Sequence, residues 1–208
     1  MNIQLDHIVW AHPHLELGNQ NFSEQTGVTP RLGGQHLDLG THNSLVSLGS
    51  DSYLELISPD PTNKVPGGVQ VLGIGEVTQP KIVGWAISVP LQEIQQKLRQ
   101  SGFAVSEIGS GSRRTPENIK LKWNYIFLEE PEFNETPQIA PFFIQWLGEN
   151  PAHNSPRGCT LDNFWAEHPH PDRFRKLFDT LDFPMQIDQG PTPQLRAVVT
   201  SDKNSIEI

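Results

Sequence analysis

The 208-residue chain is 36% hydrophobic and 19% charged with a formal net charge of −9, a balance that folds as a globular protein and excludes intrinsic disorder. A pI near 5.3 leaves no basic face to neutralise phosphates, so nucleic acid and an anionic membrane surface are excluded as expected partners. The single cysteine, Cys159, permits no internal disulfide; with no signal peptide and no apolar run of the ~20 residues that cross a bilayer, a cytoplasmic location is expected.

Residues 3–11 alternate as a strand, with Leu5, His7 and Val9 on one face and Asp6, Ile8 and Trp10 on the other. Pro13 suits a first helical position, Leu15 and Phe22 share a helix face, and Gly27 is a plausible stop. Gly33-Gly34 marks a turn or bulge beside a strand over 36–39, and strands over 44–48 and 53–57 form a hairpin across Gly49-Ser50-Asp51-Ser52. The order over 3–60 is β-α-β-β-β. A Pro/Gly-rich connector runs over 59–80, and the order restarts. The second unit, 82–148, has a strand over 82–89 and a helix from Pro90 with Leu91, Ile94 and Leu98 on one face. It continues with a strand over 104–108, a glycine-rich loop over 109–116, a strand over 121–128 and a last strand over 141–147.

A third unit begins at Cys159. Its helix is marked by Phe174, Leu177, Phe178 and Leu181 at i, i+3, i+4 and i+7, and short strands follow over 185–188, 195–200 and 205–208. The stretch from Leu5 to His14 returns from Leu161 to His170 with five of ten positions identical, but His7 becomes Asn163. A repeat that keeps its frame and loses this histidine singles out His7 for function. The His12-Pro13-His14 and His168-Pro169-His170 pairs are helix lead-in segments rather than metal motifs, because proline fits the first helical turn.

The fold class is therefore α+β: paired βαβββ modules form a curved mixed sheet around a cavity over 1–158, and a truncated third βαββ module over 159–208 packs on the same domain or at a homodimer interface. Glu55 alternates between Leu54 and Leu56, facing away from the helix side with Tyr53 and Ile57. A carboxylate in such apolar sequence needs a partner or a metal. His7 is the natural candidate, since imidazole plus carboxylate begins many divalent metal sites.

Three sets of residues, taken together, resemble the vicinal oxygen chelate superfamily and its glyoxalase-like group: Leu5-Asp6-His7-Ile8-Val9; Gly33-Gly34-Gln35-His36 running into Gly40-Thr41-His42-Asn43; and Tyr53-Leu54-Glu55-Leu56-Ile57-Ser58-Pro59-Asp60. Arg113-Arg114-Thr115-Pro116, Leu121-Lys122-Trp123 and the segment from Pro141 to Trp146 add to it, so that the resemblance covers roughly 3–158. It implies a divalent metal ion (zinc, nickel, manganese or iron) held by His7, Glu55 and, from the second unit, Gln145. The position equivalent to His7 is Gly84, which offers no ligand.

His36 with Glu55 is the acid/base pair expected at neutral pH. Asn43, Arg113, Trp123, Phe143 and Trp146 are the expected substrate contacts, with Arg113 and Arg114 placed to clamp a carboxylate and the aromatic residues to wall an apolar pocket. The expected function is a lyase, isomerase or dioxygenase acting on a small oxygenated molecule. The alternative is a non-catalytic small-molecule binding or sequestration protein, for which the blank at Gly84 argues. A purely structural reading of His7, as a satisfied strand histidine, stays open at this level.

Overall fold

The computed structural model describes residues 3–208. The first unit comprises β1 (Gln4–Ala11), α1 (Leu15–Thr26), β2 (Arg31–His36), β3 (Thr41–Ser47) and β4 (Tyr53–Pro59). The second comprises β5 (Lys81–Ser88), α2 (Leu91–Gln100), β6 (Gly109–Arg114), β7 (Lys120–Ile126) and β8 (Phe142–Trp146). The third comprises β9 (Cys159–His168), α3 (Asp172–Leu181), β10 (Gln186–Gln189), β11 (Gln194–Ser201) and β12 (Ser205–Glu207).

Alternation along β1 decides the layering. Ile8 and Trp10 point outward into a large apolar cluster with Leu15 and Phe22 of α1, while Val9 and Ala11 point inward beside Ile57 and Val83. Both faces of the strand are thus covered, helix outside and barrel interior inside. The eight strands of the first two units close in the order β1-β4-β3-β2-β6-β7-β8-β5. The first strand of each unit runs parallel to its last, β1 to β4 and β5 to β8, and the units join through antiparallel β1/β5 and a Gln35–Arg114 pairing of β2 with β6. Closure removes the free sheet edges that two open units would leave.

Two expected elements move. The bulge expected at Gly33-Gly34 is present and lies inside β2, which ends at His36, so residues 37–40, expected as strand, form a turn. Gly34 has φ 139°, and a Cβ there would stand 1.9 Å from the Arg114 carbonyl oxygen, so the seam between the units needs glycine. The strand expected over 104–108 is reduced to a single Val105–Leu128 bridge, and the glycine-rich segment expected as a loop is the strand β6, paired along β7.

The third unit makes its own four-stranded sheet, ordered β10-β9-β11-β12. Its two outer strands are short, four residues in β10 and three in β12. Its first strand pairs in parallel with β10, the strand directly after the helix, whereas in the barrel units the first strand pairs with the last. The repeated histidine segments have matching geometry: the Nδ1 atoms of buried His12 and His168 accept the backbone N–H of His14 at 3.2 Å and of His170 at 3.0 Å. They tie the chain into the helix that follows. Among the described residues, no helix is long and apolar enough to cross a membrane.

Candidate active site

The barrel encloses a cavity of about 230 Å³, larger than the roughly 150 Å³ that holds a benzene molecule. Alternation sets its lining. From β1 come His7 and Val9, from β4 Tyr53, Glu55 and Ile57, from β7 Trp123 and Tyr125, and from β8 Phe142, Ile144 and Trp146. Exposed Asp38 and Leu39, in the turn after β2, stand where the cavity meets solvent. Val71 and Leu72 reach in from the connector between the units.

His7 and Glu55 meet as the sequence suggests. His7 Nε2 lies 3.7 Å from Glu55 Oε2, and both residues are buried. Behind His7 sits Asp6, whose Oδ1 accepts from Nδ1 at 2.6 Å. That contact puts a proton on Nδ1 and leaves Nε2 as the nitrogen facing Glu55 and the cavity. Asp6 is fully buried, and it also accepts from Trp146 Nε1 at 3.0 Å and Asn150 Nδ2 at 3.3 Å. Strict alternation places Asp6 on the opposite face from His7. The chain escapes that rule because the register of β1 against β5 shifts between Leu5 and His7, a bulge that re-aims the side chain. The imidazole is held further by stacking on Tyr53, with ring centroids 4.7 Å apart, and by the edge of Phe142 at 5.4 Å.

Asn43 supports Glu55 from β3, donating from Nδ2 to Oε1 at 2.5 Å. It orients the carboxylate instead of lining the cavity. His36 does line the cavity, with Nδ1 3.0 Å from Thr41 Oγ1 and its ring edge-on to Trp123. Burial pulls its pKa from 6.5 down to about 4, against an opposing pull from Glu55, so His36 is neutral at pH 7 and offers an uncharged imidazole. Burial raises the Tyr53 phenol well above its usual range, and Asp6 and Glu55 add to the effect. Arg113 enters from β6, 5% exposed, and donates to the Gly33 carbonyl. Its neighbour Arg114 points the other way, to Asn118 on the surface, so the expected two-arginine clamp has one member.

Two expected contacts are corrected by the parity of β8. Gln145 and Phe143 lie on its outer face. Gln145 Oε1 accepts weakly from the Leu91 N–H at the start of α2, at 3.4 Å, and Phe143 is buried in the outer core beside the helices. The inward residues are Phe142, Ile144 and Trp146. Register identifies the true counterpart of Glu55: Val9 lies opposite Glu55, and Ala86 lies opposite Phe142. Setting Gly84 against His7 sets Ala86 against Val9, so Phe142 replaces Glu55. Gly84 itself is roofed by Leu72, whose Cδ2 is 3.2 Å from where a Cβ would stand.

A divalent ion therefore finds His7 and Glu55 from the first unit, and a glycine and a phenylalanine from the second. Two donors fall short of the three or four protein ligands such an ion takes, and no group of three or more His, Cys, Asp or Glu converges on one point among the described residues. The residues present do not fit a tightly held metal.

Paired βαβββ units closed around a cavity, with His and Glu on the first and fourth strands, define a protein of the vicinal oxygen chelate fold. The chain belongs to the glyoxalase-like domain family, whose model matches residues 5–181. A hypothetical protein from Staphylococcus aureus is similar over 100% of this chain and 86% of its own, with 15% identity and a TM-score of 0.70. Methylmalonyl-CoA epimerase from Mycobacterium tuberculosis is similar over 68% of this chain and 85% of its own, with 20% identity and a TM-score of 0.45. A hypothetical protein from Bacillus halodurans is similar over 72% and 96%, with 14% identity and a TM-score of 0.47. No protein of curated function matches the sequence.

Asp6, Tyr53 and Phe142 are the residues that sequence reasoning passes over. Tyr53 shares the inward face of β4 with Glu55, which alternation makes legible; Asp6 lies behind His7, where only the bulge in β1 lets it reach the imidazole.

Proposed function

We propose that this glyoxalase-like protein is a proton-transferring enzyme of the isomerase or lyase type, acting on a small oxygenated molecule in the barrel cavity. The observation that carries this reading is the buried Asp6–His7–Glu55 series, with the His7–Glu55 end facing the cavity at 3.7 Å. Glu55 takes the proton from a carbon next to a carbonyl. The C–H electron pair becomes the C=C of an enolate, and the carbonyl π pair moves onto its oxygen, to which the Tyr53 hydroxyl donates a hydrogen bond. The proton on Glu55 passes to His7 Nε2, and His7 returns it to carbon, which leaves Glu55 ionised and His7 protonated on Nδ1 alone, as at the start. Asp6 acts through His7 as a positioning residue.

Wash-in of solvent deuterium next to the carbonyl tests this, followed by NMR on a series running from pyruvate to phenylpyruvate against the enzyme-free background. Catalysed exchange is expected for the members that fill the cavity, and Glu55→Gln should abolish it. Asp6→Asn should lower the exchange rate by about 100-fold, in the range set by partners that orient a histidine, with little change in the affinity for the probe. Exchange at background rates across the whole series overturns the enzyme reading. That outcome is what a non-catalytic binding protein gives, the second reading, which Phe142 and the roofed Gly84 favour by leaving the second unit without a chemical group.

A further inference from the structure

Glu55 in the cavity wall and Asp6 behind His7 have answering donors, whereas the guanidinium of the wall has no carboxylate within ion-pair distance among the described residues. Asp6 is met by His7, Trp146 and Asn150, and Glu55 by Asn43 on one oxygen and His7 across from the other. Arg113 is 95% covered, and among the described residues the one hydrogen bond of its guanidinium goes to a neutral carbonyl, that of Gly33. Among the described residues, no carboxylate lies within the 4.0 Å of an ion pair with it. Glu55 is the carboxylate whose charge it feels across the cavity. A buried cation without a counter-ion is costly, and this one opens onto a cavity. Around it the walls are apolar and aromatic: Trp123, Tyr125, Phe127, Phe142 and Trp146 supply five rings.

We infer that the cavity takes a small monoanion with an aromatic or branched apolar body, whose carboxylate or similar oxygen pair docks on Arg113. The guanidinium fork matches two oxygens of a planar anion, and the rings receive the body. Glu55 and Asp6 oppose an anion in general, and because both are already engaged, the ligand's charge is directed to the arginine. This rests on the proposed use of the same cavity, but not on the chemistry done there.

Calorimetric titration of the full chain with hydrocinnamate and with its neutral amide, hydrocinnamamide, tests the assignment. The two probes share a body and differ in the charge of the head. The carboxylate is expected to bind about 30-fold more tightly than the amide, the scale of a charge-assisted pair. Arg113→Met should remove that preference, and Arg113→Lys should keep part of it. Equal binding of the two probes, no binding of either at millimolar concentration, or a preference that survives Arg113→Met overturns the inference. If Arg113→Met does not fold, the wild-type comparison together with Arg113→Lys decides. Hydrocinnamate bound selectively with no deuterium exchange on any probe would sink the enzyme reading and leave this one standing. Catalysed exchange on the keto acids with equal binding of hydrocinnamate and its amide would do the reverse.

Discussion

His36 is a histidine kept neutral by its surroundings. Its folded pKa of about 4 lies below the unfolded value of 6.5, so the unfolded chain binds this proton first and stability is lost as pH falls. The loss runs from pH 6.5 down to about 4 and amounts to about 3 kcal/mol for a shift of this size. Urea melts at pH 7 and near pH 4 should show a steeper drop for the wild type than for His36→Gln, by about that amount. Equal pH dependence in the two proteins would mean that His36 is not desolvated in the folded state. In the proposed function, a neutral His36 meets the substrate as hydrogen-bond donor or acceptor and not as a cation.

At the scale of elements, alternation made much of the site legible and its interruptions hid the rest. The inward set on β4, Tyr53, Glu55 and Ile57, follows from period two, as does the outward pair Leu54 and Leu56. On β8 the expected contacts mix the two parities: Trp146 faces inward, Gln145 and Phe143 outward. Strand register matches Phe142, not Gln145, to Glu55, and a one-residue slip exchanges every inward side chain for an outward one. On β1 the rule fails at a bulge that no residue type announces. On β6 alternation gives no signal, because Gly109-Ser110-Gly111-Ser112 lacks strand-forming residues. The reason for that composition lies on β7. Gly109 stands opposite Tyr125 and Gly111 opposite Trp123, and a Cβ on Gly111 would come within 2.5 Å of the Trp123 indole. The glycines are the floor on which the cavity's rings lie. Gly111→Ala should therefore displace Trp123, cost about 1–3 kcal/mol as an overpacked contact, and weaken hydrocinnamate binding. A calorimetric titration beside a urea melt reads both. Unchanged binding in a folded Gly111→Ala protein would show that the Trp123 position is not set by this strand.

For the whole molecule, the question is what the third unit adds to a barrel that is already closed. Its sheet is separate, but its apolar residues are not: Phe174, Leu177, Phe178 and Leu181 of α3 join the same outer cluster as Ile8, Phe22 and Leu98 of the barrel units. Trp85 of β5 has no exposed surface, and its ring is met by Phe164 at 5.3 Å, Phe183 at 5.2 Å and Phe178 at 6.1 Å, all from the third unit. A second clamp lies further along, where Phe174 meets Phe133 at 5.3 Å and the Arg173 guanidinium lies over Phe103 at 4.4 Å while bonding Glu130 at 3.0 Å. Removing the cover from one large buried aromatic costs on the order of 3–5 kcal/mol, and here at least two such sites would be stripped at once. Against a total stability of about 5–15 kcal/mol for a domain, that loss leaves little or no margin. A chain ended at Gly158 should then lack a cooperative thermal transition and bind an apolar dye such as ANS, while Trp85→Phe in the full chain should fold with a lowered Tm. A truncated chain that melts cooperatively near the full-length Tm would overturn this. It would show that the barrel covers β5 without help and that the third unit is an appended layer, not part of the core.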